Sequence, residues 1–235
     1  MLVTPIASAQ DADGINFSIS PRIYYTFIDT SDYSEVAGAF LGGLSLTAGP
    51  ASNDWDLTLN TLVGSGNSDW TGLSESTWFQ TGQFEIDRAD YEVMWRRRLT
   101  DSSVYIGFGA RFIDVEEQYV GDIGGLIEAD TTEIWLGEFA VGFAVQASEG
   151  SRHSMFGNAL FGVGQFDFLA VEVFEPDIVD DGTALLFDMN IGYQYVINQT
   201  SSFSTRYRVI AVQTSGIEEE LDMVHGPELA FTFRF

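Results

Sequence analysis

The stretch His225-Gly226-Pro227-Glu228-Leu229-Ala230-Phe231-Thr232-Phe233-Arg234-Phe235 decides the reading of the chain. Leu229, Phe231, Phe233 and Phe235 fall on one face of a period-two strand, and Glu228, Ala230, Thr232 and Arg234 fall on the other. One face is oily and the other polar. A soluble sandwich that happens to end in Phe has the same alternation, so the decision rests on how the other strands repeat it and where their charges sit.

Upstream, segments of alternating hydrophobicity are separated in turn by short polar turns and longer acidic connections. The expected strands cover about 15–28, 37–48, 54–64, 84–98, 104–113, 132–146, 153–164, 185–196 and 203–209, followed by the closing strand. The register is cleanest at 185–196, where Phe187, Met189, Ile191, Tyr193 and Tyr195 oppose Asp188, Asn190, Gly192 and Gln194. In 153–164, Phe156 and Leu160 share a face with Asn158 while Met155, Phe161 and Val163 share the other, so no face is assigned. Pro21 demands relaxed ladder bonding within the first segment. The sum is about ten strands, four short turns and five longer loops, with both termini at one end. Eight or twelve strands follow if 153–164 or the long second loop is read differently.

A chain of 235 residues that is 45% hydrophobic and 14% aromatic has enough apolar surface for one domain and is not a disordered segment. No run approaches the roughly 18 apolar residues of a membrane helix. Barrel strands cross in about ten residues with apolar side chains at alternate positions, so a mean hydropathy of +0.05 is no argument for solubility. The absence of cysteine excludes thiolate metal sites, disulfides and cysteine nucleophiles. A net charge of −25 argues against nucleic acid and makes cations the expected partners. All ten basic residues are Arg.

On the apolar faces, no Asp, Glu or Arg falls within the central part of any clearly assigned strand. A cation at the bilayer midplane of a barrel costs about 2–4 kcal/mol, whereas a sandwich has water on its outer faces and places charge there. With its alternating aromatics and terminal Phe, the closing strand resembles that of bacterial outer-membrane β-barrels of the small porin-like kind. The resemblance implies an all-β, closed, antiparallel up-and-down transmembrane β-barrel spanning residues 10–235, in the outer membrane of a Gram-negative bacterium. It further implies that Leu229, Phe231, Phe233 and Phe235 are the signal taken by the barrel-assembly machinery, and that the lipid bilayer is the main partner. Residues 1–9 end in Ala7-Ser8-Ala9, the small-residue pattern that precedes signal-peptidase cleavage, and are expected to be the remnant of an export signal. Trp55, Trp95, Tyr195, Phe203 and Phe235 should form one aromatic girdle, and Phe27, Phe40, Phe112 and Trp135 the other.

The opposite, lumen-facing sides carry Arg22, Arg88, Arg96, Arg98, Arg111, Arg206, Arg208 and Arg234, eight of the ten Arg. They also carry Asp56, Asp90, Glu92, Glu138, Asp188 and Glu228. Asp188, Arg206, Arg208, Glu228, Arg234 and Arg22 are placed to form a ladder across the closing seam, with bidentate pairing explaining Arg over Lys. The structural reading is a paired network that fills the lumen; the functional reading is a charged constriction that selects solutes. Lumen-facing glycines such as Gly107, Gly142, Gly192 and Gly226 favour the second by leaving gaps. The surplus negative charge, 24 of the 35 carboxylates, is assigned to the long loops and their shoulders. Such a rim attracts cations and could bind Ca²⁺ or Mg²⁺ weakly, although no EF-hand spacing occurs. No other cofactor is expected.

Barrel hydrolases need His with Ser or a carboxylate, and only His153 and His225 are present. They belong to opposite ends, and His225 with Asp222 is the one omptin-like candidate. No phosphate loop, zinc spacing or nucleotide fingerprint occurs, so an enzyme is not expected. Two functions remain. One is a porin-like narrow channel for small solutes, cation-preferring through its acidic loops; the other is a non-conducting structural or adhesive barrel acting through those loops on divalent cations, envelope lipid or protein.

Overall fold

The computed structural model describes residues 14–29, 36–50, 52–73, 79–99, 103–121, 126–148, 150–172, 177–216 and 219–235. Residues 1–9, expected to be an export-signal remnant, the expected turn Thr100-Asp101-Ser102, and Asp32, Glu35, Glu75, Asp122, Glu175 and Glu218 lie outside them. Among the described residues the chain forms ten strands: β1 Ile15–Asp29, β2 Val36–Pro50, β3 Trp55–Leu73, β4 Phe79–Arg98, β5 Val104–Gly121, β6 Leu126–Gln146, β7 His153–Glu172, β8 Ile178–Val196, β9 Ser201–Ser215 and β10 Glu219–Arg234. Each pairs antiparallel with its neighbours, and β1 closes on β10. The short turns and both ends of the barrel chain lie at one end, the lower.

Most of the residues expected in long acidic loops are on strands. β3 and β4 stay paired from Trp55↔Arg97 up to Leu73↔Phe79, and β5 runs to Gly121. Stretches such as Gly64-Ser65-Gly66-Asn67-Ser68 are small or polar on both faces, so they carry no apolar period and look like loop. The ladder continues there because backbone pairing does not require an oily face.

The amphipathic pattern inverts with height. In the lower part the outward runs are apolar: Trp55 to Val63 on β3, Trp135 to Val145 on β6 and Leu185 to Tyr195 on β8. Each is near the 9–11 residues that a tilted strand needs to cross hydrocarbon. The girdle aromatics are there and face outward; Phe112 packs on Trp135 with ring centroids 4.2 Å apart. Higher up, the outward faces carry Glu85, Asp87, Asp114, Glu116, Glu133, Asp167 and Asp181, while the inward faces become apolar. Ile86, Ile113, Val115, Ile134, Leu136, Phe166, Leu186, Ile210, Val212 and Val224 pack together there. The upper barrel is thus organised like a water-soluble one, with oil inside and charge outside.

The seam is irregular where it was expected to be: the β1–β10 register skips Ser20–Pro21 and Tyr25–Thr26. Pro21 and Pro227 both face outward beside these gaps. Strand β7 resolves with Phe156, Asn158 and Leu160 inward and Met155, Phe161 and Val163 outward. At the lower turns, Asn53 takes φ 56° and Gly150 φ 72°, the left-handed conformation these residues tolerate best.

Candidate functional site: a salt-bridge bar across the lumen

The inward parity of each strand delivers the charged side chains to one level. On β5, Arg111 donates from Nε to Asp90 Oδ1 on β4 at 2.8 Å and from Nη2 to Asp90 Oδ2. Its Nη1 reaches across the lumen to Asp188 Oδ2 on β8 at 2.9 Å. Asp188 also receives Arg208 of β9, with Nε to Oδ1 at 3.0 Å. Arg208 Nη1 then lies 4.0 Å from Glu228 Oε2 on β10. Glu228 Oε1 takes Arg206 Nη2 at 2.5 Å and Arg22 Nη1 at 3.6 Å. Arg22 finally donates from Nη2 to the Thr61 carbonyl of β3 at 3.1 Å. A continuous bar therefore runs from β4 to β1 and β3 through groups that are nearly all buried.

Bidentate Arg–carboxylate geometry of this kind fixes both partners in position. Arg111 and Glu138 have fully buried side chains and stand 3.7 Å apart. The other predicted lumen residues lie around the bar. Arg96 pairs with Asp56 at 2.7 Å, donates to Thr58 at 2.8 Å, and stacks 5.6 Å from the centroid of Tyr105. Asn60 donates to Glu92 at 2.8 Å. Arg234, expected in the seam ladder, lies apart and donates to Ser202 at 3.2 Å. Arg88 is buried above the bar, its Nε and Nη2 without hydrogen-bond partners.

The lumen glycines do not leave gaps. A Cβ on Gly142 would stand 2.2 Å from Tyr105 Cζ, and one on Gly192 would stand 2.6 Å from Phe156 Cζ. On Gly107 it would meet Arg96 and Met94 at 3.0 Å. At Gly226 the obstacle is the Tyr25 carbonyl at 2.1 Å, and its φ of 157° also disfavours a side chain. These glycines are recesses in which a neighbouring strand or its side chain lies, so they let the lumen fill rather than open.

The histidines are not in the lumen. His225 faces outward and its Nδ1 is 2.7 Å from the Tyr207 hydroxyl, whereas Asp222 faces inward. The His225–Asp222 arrangement is therefore not assembled, because three residues of separation on a strand put the two on opposite faces. His153 also faces outward and contacts the Tyr193 hydroxyl. On the upper outer wall, carboxylates stand directly opposite one another across strands, as Asp114↔Glu133, Glu133↔Asp167 and Asp167↔Asp181. Among the described residues no three His, Asp or Glu side chains converge as a metal site would require.

Sequence parity places Arg111 and Asp188 on the inner face but cannot show that they meet, since β5 and β8 are not neighbours. The apolar layer above the bar was also missed, although its signal was present. Ile86-x-Arg88-x-Asp90, Arg111-x-Ile113-x-Val115 and Ile134-x-Leu136-x-Glu138 carry apolar and charged residues on one parity.

A closed antiparallel barrel with an apolar outer belt and a charged, packed lumen is the class that this fold and site define. No family model matches the chain, and no curated protein matches it. Among solved structures, the outer membrane protease OmpT from Escherichia coli aligns with a TM-score of 0.67 over 98% of this chain and 99% of its own, at 8% identity. The translocator domain of autotransporter NalP from Neisseria meningitidis aligns with a TM-score of 0.50 over 96% of this chain and 90% of its own, at 7% identity. At such identities the likeness is one of fold, a barrel of the bacterial outer-membrane type.

Proposed function

We propose that the chain is a non-conducting barrel of the Gram-negative outer membrane that acts through its tall, acidic outer wall. The observation that carries this reading is the bar from Asp90 through Arg111, Asp188 and Arg208 to Glu228, which crosses the lumen with buried partners. Above it, Ile113, Leu136, Leu186 and Ile210 pack into an apolar layer. Together they support a lumen that is filled rather than open, with the network as its structural core. The function then belongs to the wall, where the row Asp114, Glu133, Asp167 and Asp181 concentrates cations and engages Ca²⁺ or Mg²⁺, envelope lipid or a protein partner. We assign neither histidine a catalytic role, because both face outward.

The second reading is a porin-like narrow channel for small cations. It draws support from the polar chamber below the bar. Liposome swelling separates the two. Vesicles holding refolded protein should swell in isotonic small sugars and amino acids no faster than empty vesicles under the first reading, and faster, with the smallest solutes favoured, under the second.

A further inference from the structure

Below the bar lies a chamber with a charge arrangement of its own. Arg22, Arg206, Arg208, Glu92 and Asp188 border its upper side. Its walls lie one inward position lower on the same strands: Ser20 below Arg22, Ser204 below Arg206, Asn190 below Asp188 and Ala230 below Glu228. The space open to the centres of water molecules is about 60 Å³. At roughly 10–15 Å³ per water this holds about four or five waters, or one solute with about that many heavy atoms.

The chamber lies between two levels of packing. Upward it meets the bar and the apolar layer, whereas downward the packing is of small polar groups. There Ser20 bonds Thr232 at 2.8 Å and Gln194 donates to Ser202 at 2.8 Å. Cation and anion are not balanced on its β1–β9 side. Arg208 has Asp188 as its close partner, but among the described residues Arg22 and Arg206 have Glu228 as their one carboxylate partner, and they share the same oxygen of it at 3.6 and 2.5 Å. Arg22 is 6% exposed, yet its Nε has no hydrogen-bond partner. The nearest further carboxylate on the chamber, Glu92, comes from β4 on another side and accepts from Asn60. A buried guanidinium short of an acceptor is completed by an anion, and the planar fork matches an oxyanion best.

We propose that this chamber binds one small oxyanion, a carboxylate or phosphate of four or five heavy atoms, held by Arg22 and Arg206. The inference does not depend on whether the bar ever opens. The test uses the full chain refolded in detergent micelles, titrated with inorganic phosphate and separately with acetate, at ionic strength kept constant by a sulfonate too large for the chamber. The readout is the midpoint of heat modification on gels. The wild type should show a saturable rise of roughly 2–4 °C. Arg206→Gln should abolish it, and so should Ala230→Leu, which fills the chamber and leaves every charge in place. Glu133→Gln, on the outer wall, should keep it. No saturable rise in the wild type overturns the proposal, as does a rise that persists in Ala230→Leu; these two results decide even if Arg206→Gln fails to fold.

Discussion

Replacing Arg111 by Met should remove the centre of the bar and leave its carboxylates exposed to one another. Arg111 makes close contacts with Asp90 and Asp188 and lies 3.7 Å from Glu138. Asp188 keeps Arg208, but Asp90 and Glu138 lose the cation that offsets their burial. Deleting one partner of a buried ion pair costs about 3–5 kcal/mol, against at most about 1 kcal/mol for an exposed pair. For a domain of this size that corresponds to a fall in unfolding midpoint of roughly 6–20 °C. Urea unfolding in lipid vesicles, followed by tryptophan fluorescence, measures the loss. Adding Asp90→Leu should recover much of it, because a buried pair replaced by apolar groups of similar volume is often neutral. A loss below about 1 kcal/mol for Arg111→Met, or no recovery in the double variant, would refute the claim that the bar is a paired structural core.

The other expectations use the same unfolding measurement or a variant of it. Gly142→Val should cost about 1–3 kcal/mol by displacing the Tyr105 ring, whereas Gly150→Ala, at a lower turn with nothing near its Cβ, should cost only the strain of its positive φ. Ile191→Arg, in the outward belt, should cost about 2–4 kcal/mol, and Thr183→Arg, outward and above it, less than about 0.5; equal costs would contradict the position assigned to the bilayer. His225→Ala should remove the Tyr207 contact and leave any hydrolytic activity found in the protein unchanged; its loss would restore a catalytic reading. Deleting Phe235 should slow assembly in cells while leaving refolding into vesicles intact, and equal defects in both would assign Phe235 a packing role only.

The fold was legible because one physical rule, apolar outside and polar inside at alternate positions, governs every strand within the bilayer. Leu185 to Tyr195 and Leu229 to Phe235 show it without interruption. Above the bilayer the rule reverses, and there the reading failed. Asp114, Glu116, Asp167 and Asp181 fell outside the expected strands because the expected outward hydrophobicity was missing, yet they stand on the outer face of paired strands. Parity likewise placed Arg22, Arg208 and Glu228 in the lumen. It could not measure reach, so Arg111 touching Asp188 across the barrel, and Arg234 standing apart from the seam network, emerged only in three dimensions. The glycines misled for a related reason: a missing side chain on one strand is a gap only when the neighbouring strand does not fill it, as Tyr105 fills Gly142.

The most direct test of the closed lumen is single-channel recording from folded, heat-modifiable protein in a planar bilayer under a salt gradient. The bar and the apolar layer above it predict a silent membrane at moderate voltage. Steady openings with a reproducible conductance and cation selectivity would contradict the closed barrel and return the lumen charges to the role of a selectivity filter.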